Sequence, residues 1–166
     1  MAIRIIIDTD PGCDDTIALV AALTSPDFHV LGITSIGGNV DPVQTQRNAL
    51  GICAMVGRSD VPVVAGCDRP LVKRAVLADD VHGETGVQGL VLPDVTIPPA
   101  TQDAADFILE QTRLHDDVTL VVIGPMTNIA TAYMRDNTLP QRVKEIVTMG
   151  GAFGDPAGNI TPHAEF

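Results

Sequence analysis

The chain has 166 residues, 45% of them apolar but only 3% aromatic, which is enough to bury a core built from Ile, Val, Leu and Ala rather than from rings. Its 21 acidic residues against 10 basic ones give a formal charge of -11, which argues against nucleic acid as a partner, because phosphate contacts need Lys and Arg. Cys13, Cys53 and Cys67 are odd in number and lack C-x-x-C spacing, so neither a disulfide framework nor a thiolate metal site is expected and a reducing, cytoplasmic setting is. The stretch before Asp8 is too short for a signal peptide, and no apolar run nears the roughly 20 residues of a membrane span, so no membrane partner is expected.

Strand and helix patterns alternate along the chain. Arg4–Thr9 reads as a buried strand and Asp14–Thr24 as a helix with two acids at its positive end. Phe28–Ser35 is a second strand, followed by a helix over Pro42–Val56 whose expected buried set is Val43, Ala49, Leu50, Ile52, Cys53 and Val56. Val61–Ala65 is a third, short strand. From Gly66 to Ala100 the prolines and glycines give an irregular connection, long enough to suggest a functional loop. Thr101–Leu114 then reads as a helix and Val118–Ile123 as a central strand. A helix starting at Pro125 and running to about Arg135 and a last strand over Val143–Met149 complete the pattern. Such units predict an α/β class: one domain over 1–166 with a mostly parallel, Rossmann-like central sheet and helices on both faces. Ligands of such sheets bind beyond the carboxyl ends of the strands. Three polar clusters lie there: Asp8–Asp15, Gly37–Asn39 and the glycines after Met149.

The first cluster is the most informative. Asp8-Thr9-Asp10-Pro11-Gly12-Cys13-Asp14-Asp15 places four carboxylates within eight residues. Helix capping accounts for one or two acids, but four where a buried strand ends repel one another unless a cation or substrate hydroxyls hold them. A hard divalent cation bound by oxygen ligands resolves that repulsion. An EF-hand does not fit, because its sixth and twelfth positions, counted from Asp8, hold Cys13 and Leu19. A strand followed by Asp-x-Asp also resembles the magnesium-dependent haloacid-dehalogenase phosphatases, with Asp8 as nucleophile. Gly12 and the pair Asp14-Asp15 depart from that pattern, and it stands as the second reading. Arg58, Arg69, Lys73 and Arg74 are joined to no glycine-rich phosphate loop and read as solvated charges.

The aspartate motif resembles that of the calcium-dependent, inosine–uridine preferring nucleoside hydrolases. Gly38-Asn39, Ala65-Gly66-Cys67, His82-Gly83-Glu84-Thr85-Gly86, Gly124-Pro125-Met126-Thr127-Asn128-Ile129-Ala130, Met149-Gly150-Gly151, Gly158-Asn159 and Ala164-Glu165-Phe166 extend the resemblance over essentially the whole chain. The resemblance implies hydrolysis of a ribonucleoside's N-glycosidic bond to base and ribose, with calcium as cofactor and a tetramer or dimer as the assembly. It implies Asp10 as base and calcium ligand, Asp15 and the Ile123 carbonyl as further ligands, and His82 as a catalytic group near the nucleobase. Asp14, Asn39, Asn159 and Glu165 would hold ribose hydroxyls, with Met149 and Phe166 lining the sugar pocket. Asp8 would support the turn from behind. Family members run roughly as long again past Glu165-Phe166, where an Asn for ribose and a His-Asp pair are expected. The chain therefore reads as the N-terminal portion of such a hydrolase, with much weaker catalysis expected of it alone. A calcium- or ribose-binding fragment without turnover is the non-enzymatic alternative.

Overall fold

The computed structural model describes residues 2–72, 74–75, 77, 83–98 and 100–151. Five strands, β1 (Ile3–Thr9), β2 (Phe28–Ser35), β3 (Val63–Ala65), β4 (Thr119–Val122) and β5 (Glu145–Thr148), form one parallel sheet in the order β3-β2-β1-β4-β5. Four helices join them: α1 (Cys13–Thr24), α2 (Pro42–Met55), α3 (Ala104–Leu114) and α4 (Thr127–Arg135). A 3-10 turn over Leu139–Gln141, which the sequence pattern does not announce, precedes β5.

Alternation along β1 divides the core. Ile5 and Ile7 join Leu19 and Leu23 of α1 and Ala49, Ile52 and Cys53 of α2 on one face. Ile6 joins Phe107 and Ile108 of α3 and Ile129 and Ala132 of α4 on the other. A strand buried on both faces needs this continuous apolar run, which is why Ile5-Ile6-Ile7 reads as a central parallel strand. The β1–β2 register shifts between Ile5, paired with Val30, and Ile6, paired with Gly32, so that β2 carries one extra residue. Strand order reverses between β1 and β4, and the crevice beyond their carboxyl ends is where such sheets bind ligands.

Several boundaries differ from the sequence reading. β3 is confined to Val63–Ala65, β4 to Thr119–Val122 and β5 to Glu145–Thr148; α3 starts at Ala104, after the capping carboxylate of Asp103. α4 starts at Thr127, two residues after Pro125, because Met126 and not the proline precedes the first helical turn. In α2, Val43 is exposed, since it sits in the first turn beside the cap Asp41, whereas Thr45, Gln46 and Asn48 turn inward. Arg58 is not simply solvated, for its guanidinium donates to Leu23 O (2.8 Å) and pairs with Asp60. All four residues of β5 are exposed, Ile146 and Val147 among them.

Gly32 marks the tightest contact between a strand and the α3 layer. A Cβ there would lie 2.7 Å from Phe107 Cε1, and the ring is buried and cannot swing into solvent. Gly32→Ala is therefore expected to destabilise the chain by about 1–3 kcal/mol through overpacking. Urea denaturation should show a lower midpoint at unchanged slope, and Phe107→Leu in the same chain should recover part of the loss, a coupling that distant sites would not show.

Candidate active site

The crevice at the β1–β4 switch is filled by the aspartate loop. β1 ends at Thr9, the chain turns through Asp10-Pro11-Gly12, and α1 begins at Cys13. Asp8, Asp10 and Asp15 are all buried, with Asp10 1% exposed, while Asp14 is exposed on the outer side of the first helical turn. Gly12 has no side chain to cap α1, and the carboxylate of Asp15 accepts from its amide instead (3.1 Å). Asp15 also accepts from Thr9 Oγ1 (2.6 Å) and Asn39 Nδ2 (3.1 Å).

Asn39, from the loop after β2, holds Asp10 from two sides. Its backbone amide donates to Asp10 Oδ2 (2.8 Å) and its Nδ2 donates to the Asp10 carbonyl (2.9 Å). Two glycines make room for that carboxylate. A Cβ at Gly38 would lie 2.9 Å from Asp10 Cγ, and one at Gly124 would lie 2.7 Å from Asp10 Oδ1. Ile123, just before Gly124, donates its amide to the Asp8 carbonyl (2.9 Å), which brings the end of β4 against the loop. Asp8 faces the opposite layer, where its Oδ1 accepts from Thr34 Oγ1 and from Asn128 Nδ2 (2.8 Å).

Asp8 Oδ2 and Asp10 Oδ1 are buried without a hydrogen-bond partner among the described residues. Burial pushes the Asp8 carboxyl up to about 7, against the hydrogen bonds from Thr34 and Asn128. Burial first, and then repulsion from Asp15, pushes Asp10 up to about 8. Burial also raises Asp15, opposed by Thr9 and Gly12. Oxygen donors with an orphaned, buried Oδ1 fit a hard divalent cation. Asp10 and Asp15 would supply two such donors. Among the described residues no group of three His, Cys, Asp or Glu side chains converges on a metal position, so those two form a partial set.

Beside the loop lies a cavity of about 880 Å³ lined chiefly by apolar groups, including Leu71, Val72, Met126 and Met149, with Gly38 and Asn39 on its floor. The structure thus brings Asp10, Asp15, Asn39 and Ile123 together and places Met149 on the wall. His82, Asn159, Glu165 and Phe166 lie outside the described residues. Two residues that the sequence reading did not single out hold the site together. Asn128 ties Asp8 to β2 and to the loop after β3. Asn48 of α2 donates to the carbonyls of Pro11 (3.0 Å) and Thr85 (2.8 Å), clamping the aspartate loop to residues 83–87. The sequence gives little signal for Asn48, because Thr45 and Gln46 turn inward on the same helix.

Comparison with known proteins bears on the family and the fold. The family model described as inosine-uridine preferring nucleoside hydrolase matches residues 5–166. The pyrimidine-specific ribonucleoside hydrolase RihA of Shewanella oneidensis is 44% identical over 167 residues, which cover 100% of this chain and 52% of that protein. Among solved structures, the plant nucleoside hydrolase PpNRh1 matches with a TM-score of 0.89 and 36% identity, over 99% of this chain and 52% of its own. The purine-preferring ribonucleoside hydrolase from Gardnerella vaginalis matches with a TM-score of 0.84 and 35% identity, over 90% of this chain and 49% of its own. The chain spans about half the length of the relatives it matches. Sequence and architecture lead to one assignment: the chain belongs to the inosine-uridine preferring nucleoside hydrolase family.

Proposed function

We propose that the protein hydrolyses the N-glycosidic bond of ribonucleosides to free base and ribose. The observation that carries this reading is a buried Asp10 with one carboxylate oxygen unpartnered, held by Asn39, which itself lines the neighbouring cavity. Enzymes of this family use a metal ion, and the oxygen-only donors favour calcium, held by Asp10, Asp15 and the Ile123 carbonyl. When bound, such a cation supplies a lowered pKa for an adjacent water and an anchor for sugar hydroxyls. Asp10 accepts the proton of the attacking water through Oδ1, the oxygen that Asn39 leaves open. Asn39 spends its Nδ2 on Asp10 and Asp15, so it meets a ribose hydroxyl through its Oδ1. Asp14, exposed at the start of α1, is the second sugar contact. As the glycosidic bond breaks, positive charge on the sugar is stabilised by the buried carboxylates. Met149 lines the sugar pocket, His82 assists at the base, and Asn159, Glu165 and Phe166 complete the ribose site from outside the described residues. A cytoplasmic setting fits the cysteine pattern and a free nucleoside rather than a nucleic acid fits the acidic charge, while a homo-oligomer is what the family resemblance implies.

The phosphatase alternative asks Asp8 to act as nucleophile. Asp8 is buried and faces Thr34 and Asn128, which argues against that use.

Ribose release from inosine and from uridine, with and without a chelator, tests the reading. Chelator-sensitive turnover is expected, and Asp10→Asn should lower kcat by about 10²–10⁴-fold, the usual worth of a positioned general base. Nucleoside binding without turnover would instead establish a non-catalytic module, and magnesium-dependent phosphate release from a nucleotide would establish a phosphatase.

The raised carboxyls also give a pH signature. A carboxyl whose folded-state pKa exceeds its unfolded value of 3.8 contributes stability that is complete below about pH 4. That contribution is lost as pH rises through about 7 for Asp8 and about 8 for Asp10. With chelator present, the thermal midpoint should therefore fall between roughly pH 5 and pH 8.5. Calcium needs the ionised forms, so its stabilising shift should be larger at the higher pH. Differential scanning fluorimetry at both pH values checks this, and an equal or smaller calcium shift at high pH would remove these carboxylates from the cation site.

A further inference from the structure

The aspartate loop and the wall of the cavity are joined by one side chain. Asn128, fully buried in the first turn of α4, donates from Nδ2 to Asp8 Oδ1 (2.8 Å) and to the Ser35 carbonyl (3.3 Å). Its Oδ1 accepts from the backbone amide of Cys67 (2.8 Å). Gly66 lies so close that a Cβ there would overlap both terminal atoms of the Asn128 carboxamide and the Ser35 carbonyl. One turn further along α4, Thr131 Oγ1 meets Cys67 Sγ at 3.4 Å, so the helix grips the segment after β3 twice. That segment continues through Asp68, Pro70, Leu71 and Val72, which line the cavity. At the other end of the same carboxamide, Asp8 stands two residues before Asp10.

We propose that Asn128 is a positioning residue, fixing the 66–72 wall of the cavity against the aspartate loop so that both keep one spacing. The chemistry requires an amide of this length. The position must donate towards a carboxylate and a carbonyl while accepting from an amide N–H, and among short side chains only Asn carries two N–H donors beside a separate acceptor oxygen. Asp would face Asp8 and the Ser35 carbonyl with an oxygen, and Ala would take one hydrogen-bond partner from each of three buried segments. The consequence for turnover rests on the hydrolase reading: a nucleoside spans the wall and the carboxylates, so loosening their spacing weakens its binding. The coupling of the two segments is a property of the fold and stands apart from that reading.

Hydrogen–deuterium exchange on Asn128→Ala, with Ile129→Ala as comparator, tests the proposal. Ile129 is the next residue of the same helix, buried in the α3–α4 core, and its apolar side chain has no hydrogen bond to give the clip or the site. Well below the unfolding temperature, Asn128→Ala should speed exchange at least tenfold in both 66–72 and 8–12, whereas Ile129→Ala should leave both near wild type. Gly66→Ala approaches the clip from the wall side and should loosen the same two segments, which keeps the test decisive if Asn128→Ala does not fold. Where the protein releases ribose, Asn128→Ala should raise KM for inosine or uridine at least tenfold, and Ile129→Ala less than twofold. Exchange that rises in only one segment, or equally in the Ile129→Ala comparator, overturns the coupling. Absence of ribose release from the unaltered protein overturns the hydrolase reading and leaves the exchange result standing.

Discussion

Three carboxylates, Asp8, Asp10 and Asp15, are buried within one loop and strand end, and their mutual repulsion has to be answered by the surrounding fold. The answer is spread over elements far apart in sequence. Thr34 and Asn128 donate to Asp8, Asn39 to Asp10, and Thr9, Gly12 and Asn39 to Asp15. Close approach needs room as well as donors, and Gly38 and Gly124 provide it by carrying no Cβ where the Asp10 carboxylate sits. Even so, one oxygen on Asp8 and one on Asp10 remain unanswered by the described residues. The donors gathered around the loop thus leave Asp10 Oδ1 bare, with Gly124 beside it.

The strand order explains why the cluster falls where it does. β1 and β4 are neighbours whose chain paths diverge to opposite layers, so their carboxyl ends open a crevice that neither helix layer fills. Alternation then sorts the polar residues of β1: Thr9 serves Asp15 on the α1 side, and Asp8 serves Asn128 on the α4 side. Function and packing thus use the same two-residue period, with the apolar half of β1 in the core and its last two residues in the site.

Much of this was legible in the residues. The all-apolar Ile5-Ile6-Ile7 announces a doubly covered strand, and the acids at its end announce a polar loop in the crevice beyond it, because both are local patterns set by elementary energetics. What stayed hidden is long-range. Asn128 pairs with Asp8 across 120 residues of sequence, and Asn48 reaches Thr85 across 37. No periodicity encodes either. The same blindness misplaced Val43, whose apolar side chain suggested burial on α2, when the inward positions include Thr45, Gln46 and Asn48, the last tying two loops together. At α4, Pro125 suggested a helix start that the chain delays to Thr127, since the turn after β4 must first pass Gly124 beneath Asp10.

The extra residue in β2 carries a consequence for how this sequence tolerates change. Val30 and Ile33 are three residues apart yet both belong to the α1–α2 core, which an uninterrupted two-residue alternation forbids. The shift at Leu31 inverts the remainder of the strand, so that Gly32 meets Phe107 and Thr34 meets Asp8 on the far face. Losing one residue here would leave the strand intact as a strand but carry Thr34 to the wrong side of the sheet, stripping Asp8 of a donor. Insertions and deletions in β2 are thus filtered by the chemistry of a carboxylate on the neighbouring strand, and the bulge is a reading-frame marker for the aspartate loop.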